Sequence, residues 1–340
     1  MKTPTDFAYA VTRYLSQYLP GTVGLSANSI RSYRDTFRLL LTYCAAEHHL
    51  PPEQITLARL DRPMIEDFLA WLESARACSL STRNQRLAAL HAFFKYLQRD
   101  QPQALCQYQQ ILAIPMKKVR TPTIAYLTRE AITLLLEMPS TATSSGRRDA
   151  VLLSLLYDSG ARVQELADLR VGDVRLQAPA TIKLTGKGQK TRIVPLMAPM
   201  ARLLGQYFSE NNFHAPQCQE YPLFRNRAGN HLTRSGIAFI LDKYCTAAKT
   251  RSPGYFGDAI SPHVIRHSKA MHLLQAGVNL IYIRDLLGHV NVQTTEIYAK
   301  ADSSMKRMAL EQATGGMVSE EMPEWQQNAD LLAWLQGLGR

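Results

Sequence analysis

In this chain of 340 residues the one clear β signal is a pair of short runs, Thr181 to Thr185 and Thr191 to Leu196, joined by Gly186-Lys187-Gly188-Gln189-Lys190. Both runs are rich in β-formers and the loop between them contains glycine, the pattern of a hairpin. The rest of the chain reads as helix. The expected fold class is therefore mainly α (α+β): a mostly helical domain carrying a small β-hairpin or sheet, preceded by a purely helical one.

The first ~110 residues show helical periods only. Ile30, Tyr33, Phe37, Leu40, Leu41 and Cys44 recur at helical spacing, as do Ile65, Phe68, Leu69 and Leu72, and again Leu87, Leu90, Phe94 and Leu97. With the amphipathic stretch from Phe7 to Leu19 these make four helices in a domain of residues 1–114. Residues 115–123 form a linker, because Pro115 to Pro122 has prolines at both ends, three basic residues and no apolar period. The second domain, residues 124–316, opens with Thr128 as a helix N-cap. Its next helix runs from about Arg147 to Tyr157, breaks at Ser159-Gly160 and restarts at Arg162.

Hydrophobic residues make up 46% of the chain, ample for two packed cores, and no apolar run is long enough to span a bilayer. A cytoplasmic protein is expected. The five cysteines are scattered and never fall at metal-ligand spacing, so neither a disulfide framework nor a structural zinc is expected; they read as small core residues. The net charge is +11, and its distribution is uneven. Residues 116–299 carry 23 Lys and Arg against 13 Asp and Glu, whereas residues 301–340 carry 3 against 6. A polyanionic ligand facing the middle of the chain would require such an excess.

That basic segment holds an ordered series of chemically able residues. Arg162 begins a helix after a glycine break, with Glu165 one turn on to orient it. Lys187 stands at the hairpin tip between glycines, with Lys190 as its rival in the same loop. Ser261-Pro262 starts a helix whose first turn carries His263, with Arg266 one turn later on the same face, beside a helix N-terminus suited to a phosphate. His289 follows Gly288 at the end of the next helix, and Tyr298 lies nine residues further on. Taken singly, each is an ordinary surface, capping or packing residue. Further candidates for DNA contact are Arg83 and Arg86 on the fourth helix, Lys117, Lys118 and Arg120 in the linker, and Arg192 beside Lys190 in the hairpin.

Taken in order, Arg162, Lys187, His263-x-x-Arg266, His289 in LLGHVNVQTTEIYAKA and Tyr298 resemble the tyrosine recombinase (phage integrase) family, which includes the Xer and Cre recombinases. The resemblance covers nearly the whole chain. It implies an N-terminal core-binding (SAM-like) domain and a catalytic domain forming a C-shaped clamp on duplex DNA, and a tetramer on two synapsed sites, with accessory recombinases as further partners. It also implies that Tyr298 is the nucleophile and that Arg162, Lys187, His263, Arg266 and His289 serve it, with Glu165 in support.

The chemistry those assignments imply is self-consistent. A phenol with a pKa of about 10 is a poor nucleophile unless a base takes its proton and the phosphodiester charge is neutralised. Two arginines can fork onto the non-bridging oxygens, His263 can take the proton, His289 can donate to a phosphate oxygen and Lys187 can protonate the leaving 5′ oxygen. Neither a carboxylate cluster for two metal ions nor a P-loop is present in the sequence, and a phosphotyrosyl ester conserves bond energy, so no cofactor or metal is expected. Type IB topoisomerase activity, chromosome dimer resolution and a DNA-binding regulator without catalysis are the rival expectations. Residues 317–340, with Leu331, Trp334, Leu335 and Leu338 on one stripe, are expected to form a helix docking on a neighbouring subunit.

Overall fold

The computed structural model describes residues 4–119, 124–257, 260–289 and 295–298, apart from the Lys187 side chain. Arg120 and the tail 317–340 therefore lie outside the described residues. The chain divides into two compact units, Met1–Pro122 and Thr123–Arg340.

The first unit holds α1 (Asp6–Arg13), which runs on to Thr22 in a wider π-type winding, α2 (Ala27–His48), α3 (Arg62–Ser74), α4 (Leu80–Asp100) and α5 (Leu105–Leu112). The oxygens of Thr5, Ser26, Asp61 and Ser79 cap the first four by accepting from amides three residues on, each worth about 1 kcal/mol. Aromatic rings fill the centre: Phe37 meets Phe93 at 4.9 Å and Tyr14 meets Phe93 at 5.2 Å, both edge-on. The unpredicted α5 closes this core with Tyr108 and Ile111. An eight-residue helix has too few turns to show a period, and its stability comes from packing.

Arg83 and Arg86, candidates for phosphate contact, are both engaged within the first unit. Arg83 is 6% exposed and donates to the Pro115 carbonyl at 3.2 Å, while Arg86 donates to Ser32 O and Thr36 Oγ1, tying α4 to α2. A guanidinium can serve several carbonyls while its stem packs against apolar neighbours. Lys117 is exposed but paired with Glu73 at 2.7 Å, and Lys118 is exposed.

The second unit holds α6 (Arg129–Glu137), α7 (Ser144–Ser159), the short α8 (Val163–Ala167), β1 (Val174–Arg175), β2 (Thr181–Thr185), β3 (Thr191–Pro195), α9 (Ala198–Glu210), α10 (Arg234–Arg251), α11 (Pro262–Gln275) and α12 (Leu280–Leu287). The hairpin is present, extended by the unpredicted two-residue β1 into an antiparallel sheet of order β1-β2-β3. Its register sets Ile182 against Val194 and Leu184 against Arg192. Ile182, Leu184 and Val194 turn into a core shared with Leu152, Leu156, Leu166 and Leu241. A smaller cluster of Ala270, Met271, Leu274, Ile283, Leu287 and Tyr298 joins α11 to α12.

Cys44, Cys218 and Cys245 are buried as expected, but Cys78 is half-buried and Cys106 exposed; all are free thiols. Among the described residues no helix is long and apolar enough to cross a membrane.

Candidate active site

A helix leaves its last carbonyls without intrahelical partners and carries partial negative charge at that end. Three arginines take three consecutive carbonyls at the end of α12. Arg192 Nε donates to Leu286 O at 2.8 Å, Arg266 Nη2 to Leu287 O at 2.6 Å and Arg162 Nη2 to Gly288 O at 3.0 Å. Gly288 is in the left-handed region, φ 64°, and a Cβ there would stand 3.0 Å from the Arg192 guanidinium. Only glycine lets the chain turn there with the arginine so close.

Glu165 binds the same cations from the other side. Its carboxylate accepts from Arg192 through both oxygens at 2.8 Å, from the Arg162 side chain at 2.8 Å and from the Arg162 amide at 2.8 Å. Glu165 is 3% exposed. Burial alone would push its carboxyl up, but hydrogen bonds from Arg192 and the Arg162 amide, and the Arg192 charge, overcome that and pull it down to about 2. The carboxylate thus stays ionised and holds two guanidiniums in fixed planes.

Arg266 is drawn inwards from α11 to 3% exposure, with Nη1 on Gly160 O at 2.7 Å. Burial, then Arg162 and Arg192, lower it to about 10, so it remains charged at neutral pH. Each of Arg162 and Arg266 uses two side-chain donors in these contacts out of the five a guanidinium has, which leaves donors for an anion.

The predicted histidines and tyrosine join this group. Pro262 at the first position of α11 starts the helix so that His263 falls one turn before Arg266. Burial first, then Arg266, Arg162 and Arg234, lower His263. His289 follows Gly288, bonds Thr295 Oγ1 through Nδ1 at 2.9 Å, and is lowered by burial and then by Arg266 and Arg162 to about 4. Its ring lies 6.3 Å from that of Tyr298, nearly parallel. Tyr298 is 1% exposed; burial raises its phenol, opposed by Arg266 and Arg162.

The hydroxyl of Tyr298 meets a residue that was not singled out. His267 Nδ1 stands 2.8 Å from Tyr298 Oη, whereas His263 stacks against His267 at 6.3 Å. His267 lies four residues after His263, so helical spacing alone puts both on one face. Arg192 is a second revision: its side chain is 12% exposed and committed to Glu165 and α12, so it belongs to the inner frame of the site and not to an open DNA-facing surface. The backbone of Lys187 sits at the hairpin tip, and neighbouring Gly186 has so little space that a Cβ would come 2.9 Å from Glu165 Oε1. Lys190 is exposed, and its carbonyl accepts from Gly186 N at 2.8 Å to close the loop.

Residues 125–305 match the phage integrase family, and residues 11–101 match the phage integrase N-terminal SAM-like domain. The chain is 35% identical over 314 residues to the putative integrase/recombinase y4rC of Sinorhizobium fredii, covering 92% of each chain. It is 33% identical to the tyrosine recombinase XerC of Syntrophus aciditrophicus, over 83% of this chain and 90% of that one. Among solved structures it shares its fold, with a TM-score of 0.65 at 23% identity, with the XerH site-specific recombinase bound to palindromic difH substrate in a post-cleavage complex; 85% of this chain and 80% of that one are covered.

Proposed function

Because the chain belongs to the phage integrase family of tyrosine recombinases, which cut and rejoin DNA at specific sites, we propose that Tyr298 is the nucleophile of that reaction and forms a 3′-phosphotyrosyl intermediate. One observation carries this assignment: the Tyr298 phenol is held in the same chain as Arg162 and Arg266, on a histidine one residue from Arg266. Arg162 and Arg266 take the non-bridging oxygens and stabilise the charge that builds up on the five-coordinate phosphorus. His289 is neutral at pH 7, and in the tautomer whose Nδ1 accepts from the Thr295 hydroxyl its Nε2 carries the proton that it donates to a phosphate oxygen. Lys187 protonates the leaving 5′ oxygen. His263 stands beside the scissile phosphate on the α11 face.

Residues 1–114 and 124–316 bind duplex DNA together, the linker lysines and the hairpin adding phosphate contacts. Four copies assemble on two sites and exchange strands through a Holliday junction, and residues 317–340 link neighbours. The similarity to an integrase/recombinase supports movement of a mobile element as the biological role. Incubation of the full chain with sheared DNA from its own source, followed by a denaturing gel, tests the chemistry: DNA retained covalently on the protein is the expected result, and its sequence identifies the site. Relaxation of any supercoiled plasmid by a monomer, without strand exchange, would instead mark a topoisomerase.

A further inference from the structure

Two imidazoles meet the Tyr298 ring and a third stands behind one of them, and the three are not equivalent. His289 lies along the ring face, with its Nδ1 occupied by Thr295. His263 is one ring removed, stacked on His267 at 27°. His267 alone among the described residues is recorded in a hydrogen bond with Tyr298 Oη, at 2.8 Å through Nδ1. A general base must reach the proton it removes, and that reach is a hydrogen bond or one intervening water.

We infer that His267, in place of His263, is the base that accepts the Tyr298 proton. This rests on the recombinase reading above and adds to it a catalytic residue that touches the reacting oxygen. In the forward step the Tyr298 proton passes to His267 Nδ1 as Oη bonds to phosphorus. The bond from phosphorus to the 5′ oxygen breaks, and that oxygen takes a proton from the general acid, the role given to Lys187. In rejoining, a 5′ hydroxyl gives its proton back to the Lys187 position as it attacks the phosphotyrosyl ester, and His267 returns its proton to the departing Oη.

For this His267 must begin neutral, with its proton on Nε2 and the Nδ1 lone pair towards the phenol. The groups facing it are His263 and Arg266 on its own helix, Tyr298 from residues 295–298, and His289 beyond α12. Burial, then His263 and Arg266, hold its imidazole below the usual histidine value, so it is neutral at pH 7. The phenol is raised by burial and keeps its proton in the DNA-free protein, although His267 is already in contact. The two shifts oppose transfer in the absence of DNA; the anionic phosphate favours the imidazolium, and the phenol gives up its proton only as Oη bonds to phosphorus.

The test uses the full chain and a nicked suicide duplex carrying the site recovered on the wild-type protein. Absence of any wild-type adduct would sink the recombinase reading itself, before His267 is at issue. Given a wild-type adduct, His267→Ala and His267→Asn should both bind the duplex normally and cleave about 10²-fold or more slowly at pH 7, the scale of a lost general base. Their rates should climb about tenfold per pH unit towards the tyrosine range as the phenolate forms unaided. Added imidazole should restore His267→Ala. Asparagine keeps an acceptor near the Nδ1 position but cannot hold a proton, so wild-type cleavage by His267→Asn would reduce His267 to positioning and overturn the proposal. A slow but pH-independent, imidazole-insensitive His267→Ala would do the same, as would finding the pH signature in His263→Asn instead.

Discussion

Arg192 holds Glu165 by both carboxylate oxygens, at 2.8 Å each, across a separation of 27 residues in sequence. Arg162 shares one of those oxygens. Arg162 is therefore aimed by a second arginine that lies on β3, through a buried carboxylate common to both.

Removing the carboxylate should cost more than removing either partner. Glu165→Ala leaves two guanidiniums facing each other with a buried charge uncompensated, a loss of about 3–5 kcal/mol. Glu165→Gln restores the volume but not the charge. Chemical denaturation should show both variants destabilised, Ala the more so.

Arg192→Lys keeps the charge and loses the fork, since an ammonium cannot span both oxygens and Leu286 O at once. Cleavage of the suicide duplex should fall at least about tenfold with binding nearly unchanged. Equal loss of binding and cleavage would return Arg192 to the DNA surface.

Tyr298→Phe should bind the site with wild-type affinity and form no covalent adduct, because the phenol oxygen attacks and contributes little to binding. Tyr282, the nearest tyrosine upstream, is 71% exposed on α12. Adduct in the phenylalanine variant would move the nucleophile elsewhere.

Acid should destabilise the DNA-free protein in two stages. His289, His263 and His267 are lowered in the folded protein, His289 to about 4 from 6.5. Between these values the unfolded chain binds more protons, so stability falls as pH drops from 6.5 towards 4. Glu165, lowered from 4.5 to about 2, contributes stability that is complete above 4.5 and lost as pH falls through 2. Melting temperature against pH should show the first stage, and His289→Gln should reduce it.

Lys187→Ala should slow cleavage by about 10²-fold or more, and a 5′-phosphorothiolate duplex should rescue it because that leaving group needs no proton. A larger defect and rescue in Lys190→Ala would shift the role across the loop.

Much of the site was legible in the sequence because its elements are local. His263 and Arg266 are a helix turn apart, the Gly160 break exposes Arg162 at a new helix start, and the glycines around Lys187 mark a hairpin. The inward position of Arg192 was not legible because its neighbours Thr191 and Ile193 are exposed, while its partners, Glu165 and the carbonyl of Leu286, are distant in sequence. The burial of Arg83 was hidden for the same reason, its carbonyl partner being 32 residues away. His267 was within reach of the spacing rule that found Arg266, but the i,i+3 pair had already filled the α11 face. The helix α5 is too short to show a period at all.

The end of α12 bears a consequence for the cell that carries this enzyme. Its final three carbonyls hold all three arginines, its side chains Ile283 and Leu287 pack on Tyr298, and His289 is the next residue after the cap. Loosening that one turn frees the three arginines, the packing under Tyr298 and the position of His289 together. With the roles proposed for these residues, a partly melted copy fails safe: it loses the means to nick a chromosome in the same motion in which it loses the means to seal one.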